Sequence, residues 1–276
     1  AVFMWLYWFF IPAIKSMRLS FYNYSYITPE RTEFVGFDNF VRLFHDKDFL
    51  KALQHTFLMV AVVVLLIAVL AFLIAVLLDG KLRGKTFFRT VYYMPYVISS
   101  VAVSIFFMYF FVKGGIGSRF FSLFGLKDPT WFTSTKYALF LVIIIYVWQQ
   151  IGFYMILYIS GLQNISAELY EVAKIDGANK AQCIWYITFP LVKPTTYLVI
   201  TLGMINAFQI FDQIAAISKQ SPLGSPAGST STVVTFLYQQ SFSYMDMGYG
   251  SAAAMVLLAI IFVLSLVRML VSRGEN

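Results

Sequence analysis

Long apolar runs alternate with shorter polar stretches along this chain, and that alternation sets its first expectation. A helix that crosses a bilayer needs about 20 mostly apolar residues, and five runs meet that length, roughly 56–78, 90–112, 137–160, 195–217 and 250–270. A sixth run, 1–14, is short as it stands. It begins in mid-run without a Met or a basic flank, so it is expected to be a span of about 1–19 whose first part precedes the given sequence, and it does not read as a signal peptide. The pattern predicts one all-α domain over 1–276, a polytopic transmembrane bundle of about six spans.

Composition agrees. The 276 residues are 60% apolar and only 12% charged, against about 25% charged in soluble domains. The net charge of +7 is dispersed, with no basic run that would line a nucleic-acid groove. Cys183 is the only cysteine, which excludes an intrachain disulfide and a thiolate metal cluster. His45 and His55 lie in a polar loop ten residues apart and read as surface histidines, since a metal site wants more ligands.

The polar stretches give an orientation. Lys81, Arg83, Lys85 and Arg89 crowd into the short loop 79–89, and short basic loops stay in the cytoplasm. Alternation then places 161–194 and the C-terminus in the cytoplasm and the loops 20–55, 113–136 and 218–248 outside. The first outer loop carries an amphipathic piece, EFVGFDNFVRLFHDKDFLKAL. The second, with Gly114, Gly115, Gly117 and Pro129, reads as a loop, and the third opens on the turn-rich SKQSPLGSPAGSTST.

The loop 161–194 is expected to fold. Ser166 is placed to cap a helix whose first turn carries Glu168, and Ile165, Leu169 and Val172 follow as a stripe on one face. Asp176-Gly177 ends that helix, because glycine takes the left-handed C-terminal conformation readily. Asn179 then caps a second helix through about Phe189, stopped by Pro190 and Pro194. Such a unit presents a short helix suited to a groove on a partner.

Glu171-Val172-Ala173, then Gly177, then Ile187-Thr188-Phe189-Pro190 resembles the EAA loop of ABC-importer membrane subunits, whose pattern is Glu-Ala-Ala, three residues, Gly, nine residues, Ile-x-Leu-Pro. The spacing matches throughout, with Val172 and Phe189 as apolar substitutions. EFVGFDNFVRLF (33–44), GKTFFRTVYYMPYVIS (84–99) and NAFQIFDQI (206–214) resemble segments of the carbohydrate-uptake, maltose-type permeases. The resemblance implies a type I ABC importer permease fold in a prokaryotic cell membrane. It implies that Glu171, Ala173, Asp176, Gly177, Ala178, Ile187 and Pro190 couple to a cytoplasmic ATPase. It also implies a second, similar permease subunit, two nucleotide-binding subunits and an extracellular solute-binding protein. No cofactor is expected on this chain; ATP and Mg would belong to the partner ATPase, since no G-x-x-x-x-G-K-[ST] loop occurs here. Where the family has a Gly-Gly-Pro turn after the fifth span, this chain reads SKQSPLGSPAG.

Polar groups at membrane depth mark a candidate path, because they are expensive there. Asn206, Gln209 and Gln213 fall within about 60° on one face of an ideal helix. Gln149 and Gln150 add amides near Phe153 and Tyr154, and Tyr96 adds a hydroxyl on the preceding span. Amides and hydroxyls both donate and accept, which suits sugar hydroxyls, and aromatic faces suit the C–H side of a pyranose. The competing role for these amides is to join helices. Asp212 is the only acid within the complete spans, and no Lys, Arg or Glu lies between their ends apart from Arg268, two residues short of the end of the last. That disfavours ion-coupled transport and an anionic cargo. A permease for another small solute such as glycerol phosphate is the alternative. A stand-alone secondary transporter would show repeats and buried charge, and a membrane enzyme would need a convergent acid, base or metal set.

Overall fold

The computed structural model describes residues 2–80, 83–112, 114–125, 131–218 and 222–274. Lys81, Lys113 and Pro129 lie outside the described residues. The first apolar run is helical in three pieces, α1 (Val2–Trp5), a π turn over Leu6–Phe10 and α2 (Ile11–Leu19). A two-residue hairpin follows, β1 (Tyr22–Asn23) antiparallel to β2 (Glu33–Phe34), with Tyr22 opposite Phe34. The amphipathic piece becomes α3 (Asp38–His45), which turns directly into α4 (Lys47–Asp79). Asp46 makes that junction by accepting the N–H groups of Asp48 at 2.8 Å and Phe49 at 3.3 Å. At 1.5 Å per residue, α4 is about 50 Å long, so its first turns stand clear of a hydrocarbon layer about 30 Å thick.

The third expected span is not one helix. It divides into α5 (Lys85–Val97) and α6 (Ser100–Phe110), bent by 99° at Ile98-Ser99. Pro95 has no N–H to donate and Val97 and Ile98 are β-branched, so a helix end there costs little. Beyond α7 (Ile116–Ser122), α8 (Ala138–Gln163) forms the central span. The polar segment after it holds α9 (Ala167–Ile175), α10 (Lys180–Cys183), a π segment Ile184–Thr188 and α11 (Phe189–Leu191). α12 (Lys193–Phe208) and α13 (Asp212–Ser218) continue as one span with an irregular link at 209–211. The loop 218–248 is only partly irregular. Thr232 caps α14 (Val233–Tyr238) through a box with Thr235, and a π segment Gln239–Ser243 leads to α15 (Met247–Gly274).

Among the described residues, four helical spans are long and apolar enough to cross a membrane, and counting the bent α5–α6 pair as one span gives five. The buried stripe of α4, which includes Thr56, Val60, Val63, Ile67, Ala71, Ala75 and Leu78, packs chiefly on α8 and α12. α8 buries most of its length, while α15 leaves most of its own to the outside. Backbone approaches fix two of these contacts. A Cβ on Gly152 of α8 would stand 1.9 Å from the Tyr92 carbonyl of α5, and one on Gly250 would stand 2.0 Å from Ser241 Oγ.

One end of the bundle is tied by polar bonds that span the sequence. Arg42 Nη1 lies 3.0 Å from Asp246 Oδ2, and its guanidinium lies 3.9 Å from the centre of the Tyr249 ring. Tyr249 donates to Asp46 Oδ2 at 2.7 Å. Asn39 donates to the carbonyls of Ser20 and Tyr22, each at 3.0 Å. These contacts seat α3 and the hairpin on the start of α15.

Candidate coupling element and translocation path

The helix–turn–helix at 166–191 is built from local signals. Ser166 Oγ accepts the Glu168 N–H at 3.3 Å and starts α9. Its other end closes with two bonds. The Gly177 N–H donates to the Lys174 carbonyl at 3.2 Å, and the Ala178 N–H reaches back to the Ala173 carbonyl at 2.8 Å. This is a Schellman motif, with Gly177 at φ +81° in the left-handed position. One residue later Asn179 and Gln182 exchange side-chain and backbone bonds, at 2.8 and 2.9 Å, as a capping box. The two helices are joined again where the Tyr170 and Thr188 hydroxyls meet at 2.9 Å.

Pro190 does not end the second helix, contrary to expectation. The backbone shifts to π register over Ile184–Thr188, with the Phe189 N–H donating to the Ile184 carbonyl, and helix continues through Leu191. A wider turn just ahead of the proline accommodates the missing N–H. The helix stops instead at Val192, with φ −89° and ψ 4°.

Ala173, Asp176, Gly177, Ala178 and Ile187 converge on one cleft of about 320 Å³, shared with Gln182, Cys183 and Tyr186. The alanines at 173 and 178 are the small apolar pair that a Schellman closure brings together. Glu171 and Pro190 lie outside that cleft, both exposed. The apolar stripe behaves differently along its length. Ile165 packs against the core, whereas Val172 is 56% exposed, Ile175 85% and Tyr186 80%. Trp185 is exposed as well. Ile175 and the Trp185-Tyr186 pair are absent from the sequence-derived site. Their signal was three large apolar residues, Ile184-Trp185-Tyr186, within an otherwise polar loop.

The candidate path residues divide into two groups. Tyr96 stacks on Phe153 with centroids 4.9 Å apart and planes 15° from parallel. Phe153 meets Tyr154 edge-on at 5.1 Å, and Asn206 Nδ2 donates to the Tyr154 hydroxyl at 3.1 Å. Tyr96, Asn206 and Gln209 are exposed on this single chain. The second group is sealed. Gln149 and Gln213 are 2% and 3% exposed, and Gln213 Nε2 donates to Gln149 Oε1 at 2.9 Å. Gln149 Nε2 in turn donates to the Ile98 carbonyl at 3.0 Å and to Ser100 Oγ at 3.2 Å. Gln150 is half-buried and bonds to neither group among the described residues. The expected single-face stripe of Asn206, Gln209 and Gln213 is therefore interrupted. α12 ends at Phe208, three non-helical residues follow from Gln209, and Gln213 turns inward.

The fold has counterparts in known proteins. The bacterial alginate ABC transporter, in the crystal structure of its complex with an alginate pentasaccharide-bound periplasmic protein, superposes with a TM-score of 0.84. That match covers 99% of this chain and 92% of the other at 22% identity, and it establishes the fold. The arabinooligosaccharides transport system permease protein AraP of Halalkalibacterium halodurans is 30% identical over 263 residues, covering 94% of this chain and 81% of that protein. The probable ABC transporter permease protein YurN of Bacillus subtilis is 33% identical over 265 residues, covering 94% of this chain and 89% of the relative. Residues 81–274 match the family described as binding-protein-dependent transport system inner membrane component. On that match the chain belongs to this family, the multi-pass permeases of ABC importers.

Proposed function

We propose that this permease forms half of the translocation path for a neutral sugar or oligosaccharide and docks on a cytoplasmic ATPase through the element at 166–191. The observation that carries the docking role is the exposed apolar surface of Val172, Ile175, Trp185 and Tyr186. It sits on helices held by the Ser166 cap, the Gly177 closure and the Asn179–Gln182 box, so the surface is presented rather than left over from incomplete folding. An apolar helix face with rigid ends is the form of a helix-in-groove contact. Glu171 stands exposed beside that face, where a basic group on the ATPase would meet it. The orientation follows the basic loop at 79–89, which puts this element and the C-terminus in the cytoplasm.

The sugar reading rests on the Tyr96–Phe153 ring pair and the exposed amides of Asn206 and Gln209. The relative named for arabino-oligosaccharide transport supports it. A second permease chain would complete the path, since Tyr96, Asn206 and Gln209 remain open to one side. ATP hydrolysis belongs to the partner subunits, and an extracellular binding protein delivers the solute. The direct test of docking is co-purification of the ATPase with Ile175→Asp. We expect at least about tenfold less ATPase per permease, as a central interface anchor gives, with normal membrane insertion. Retention of the ATPase at the normal ratio would contradict the docking role.

A further inference from the structure

A helix broken at membrane depth frees backbone groups that must find partners in protein, since no lipid can bond them. This permease has two such interruptions, the 99° bend at Ile98-Ser99 and the link at 209–211. One side chain joins both. Gln149 gives its two amide hydrogens to Ile98 O and Ser100 Oγ at the bend, and its oxygen accepts from Gln213, two residues beyond the link. α13 packs directly on α6, so the segments beyond the two interruptions also touch each other. Close packing, as of Gly152 on Tyr92, already favours one register, and the amides add a sharper penalty for leaving it. A buried amide whose two hydrogens and oxygen are all bonded, as those of Gln149 are, is satisfied in one register and penalises the others by leaving a polar group unpaired.

We propose that Gln149 and Gln213 are positioning residues that fix the two interruptions relative to each other, and that they do not contact the cargo. Tyr96 stands two residues before the bend and Gln209 begins the link. The relay therefore decides where these two exposed groups point. This rests on the reading that the chain forms half of a translocation path, but it makes a prediction that needs no cargo.

The test is thiol labelling of the assembled complex in proteoliposomes with an impermeant methanethiosulfonate reagent. The background is Cys183→Ser with one reporter, Gln209→Cys or Tyr96→Cys. Gln213→Met should change the labelling rate at 209 by about threefold or more, with the amount of assembled complex held. Gln149→Met should change the rates at both reporters. The double variant should do no more than Gln149→Met, because the two amides act as one unit. Unchanged rates in assembled variants, or additive effects, would overturn the proposal. If Gln149→Met does not assemble, Gln213→Met decides alone, since it leaves Ile98 O paired. Labelling that responds while the parent complex, with Tyr96 and Gln209 intact, takes up no sugar would overturn the cargo reading and keep the relay.

Discussion

The proposed coupling element and the proposed mid-membrane path make opposite use of their sequence. At 166–191 nearly every structural bond is local: Ser166 to Glu168, Ala178 to Ala173, Asn179 to Gln182. Around the path the decisive bonds join residues far apart in the chain, Gln149 to Ile98, Gln213 to Gln149 and Asn206 to Tyr154. A surface that must stay rigid while a partner pulls on it suits short-range capping, which survives movement of the rest of the bundle. A path that changes shape suits long-range ties between segments that can shift as bodies. The contrast is open to test at several residues.

The largest effect is expected where backbone meets backbone. Gly152→Leu would force a side chain into the Tyr92 carbonyl, and neither helix can yield without moving the other. A cost of about 3 kcal/mol or more follows from overpacking at such a contact. Assembled permease in membranes, measured by quantitative immunoblot after detergent extraction, should fall severely. Normal levels would mean that α5 and α8 do not approach at this point.

Next comes Gly177. Nothing lies within 4 Å of a Cβ placed there, so only its left-handed backbone resists substitution. Gly177→Ala should cost about 1–2 kcal/mol locally, loosening the turn without harming insertion. ATPase co-purification should drop several-fold while permease abundance holds. An equal loss of both would show that the turn supports the whole bundle rather than the docking surface.

Thr232→Ala should remove a helix cap worth about 1 kcal/mol and lower the melting temperature of the purified complex slightly, with ATPase association intact. The smallest effect is expected at Glu171→Gln, which deletes one exposed charge. ATPase association should weaken modestly, and the difference from the parent should vanish at high salt. A salt-independent loss would assign Glu171 a packing role instead.

This contrast also explains what the sequence could disclose. The ends of α9 and the cap at Asn179 were legible because capping boxes and glycine stops are written within four or five residues. The bend at Ile98-Ser99 was not, since Pro95 sits in a run long and apolar enough to read as one span and its consequence depends on Gln149, 51 residues beyond Ile98. The amide stripe was half legible. Its residues are the polar ones at membrane depth, but an ideal helix placed Gln209 and Gln213 on one face and the link at 209–211 turned them apart. Pro190 misled for a related reason: a π register upstream removes the clash that a strict α-helix would impose. The capped α14 was hidden behind the turn-rich composition that precedes it.

The central claim is that this permease moves its cargo only when the capped element engages an ATPase. Uptake of a labelled neutral oligosaccharide held by the complex's own solute-binding protein, presented to proteoliposomes with ATP supplied on the side of the 166–191 element, tests it most directly. The account predicts uptake by the parent complex, and none when the ATPase is omitted or Ile175→Asp has detached it. Uptake that persists without the ATPase would contradict it.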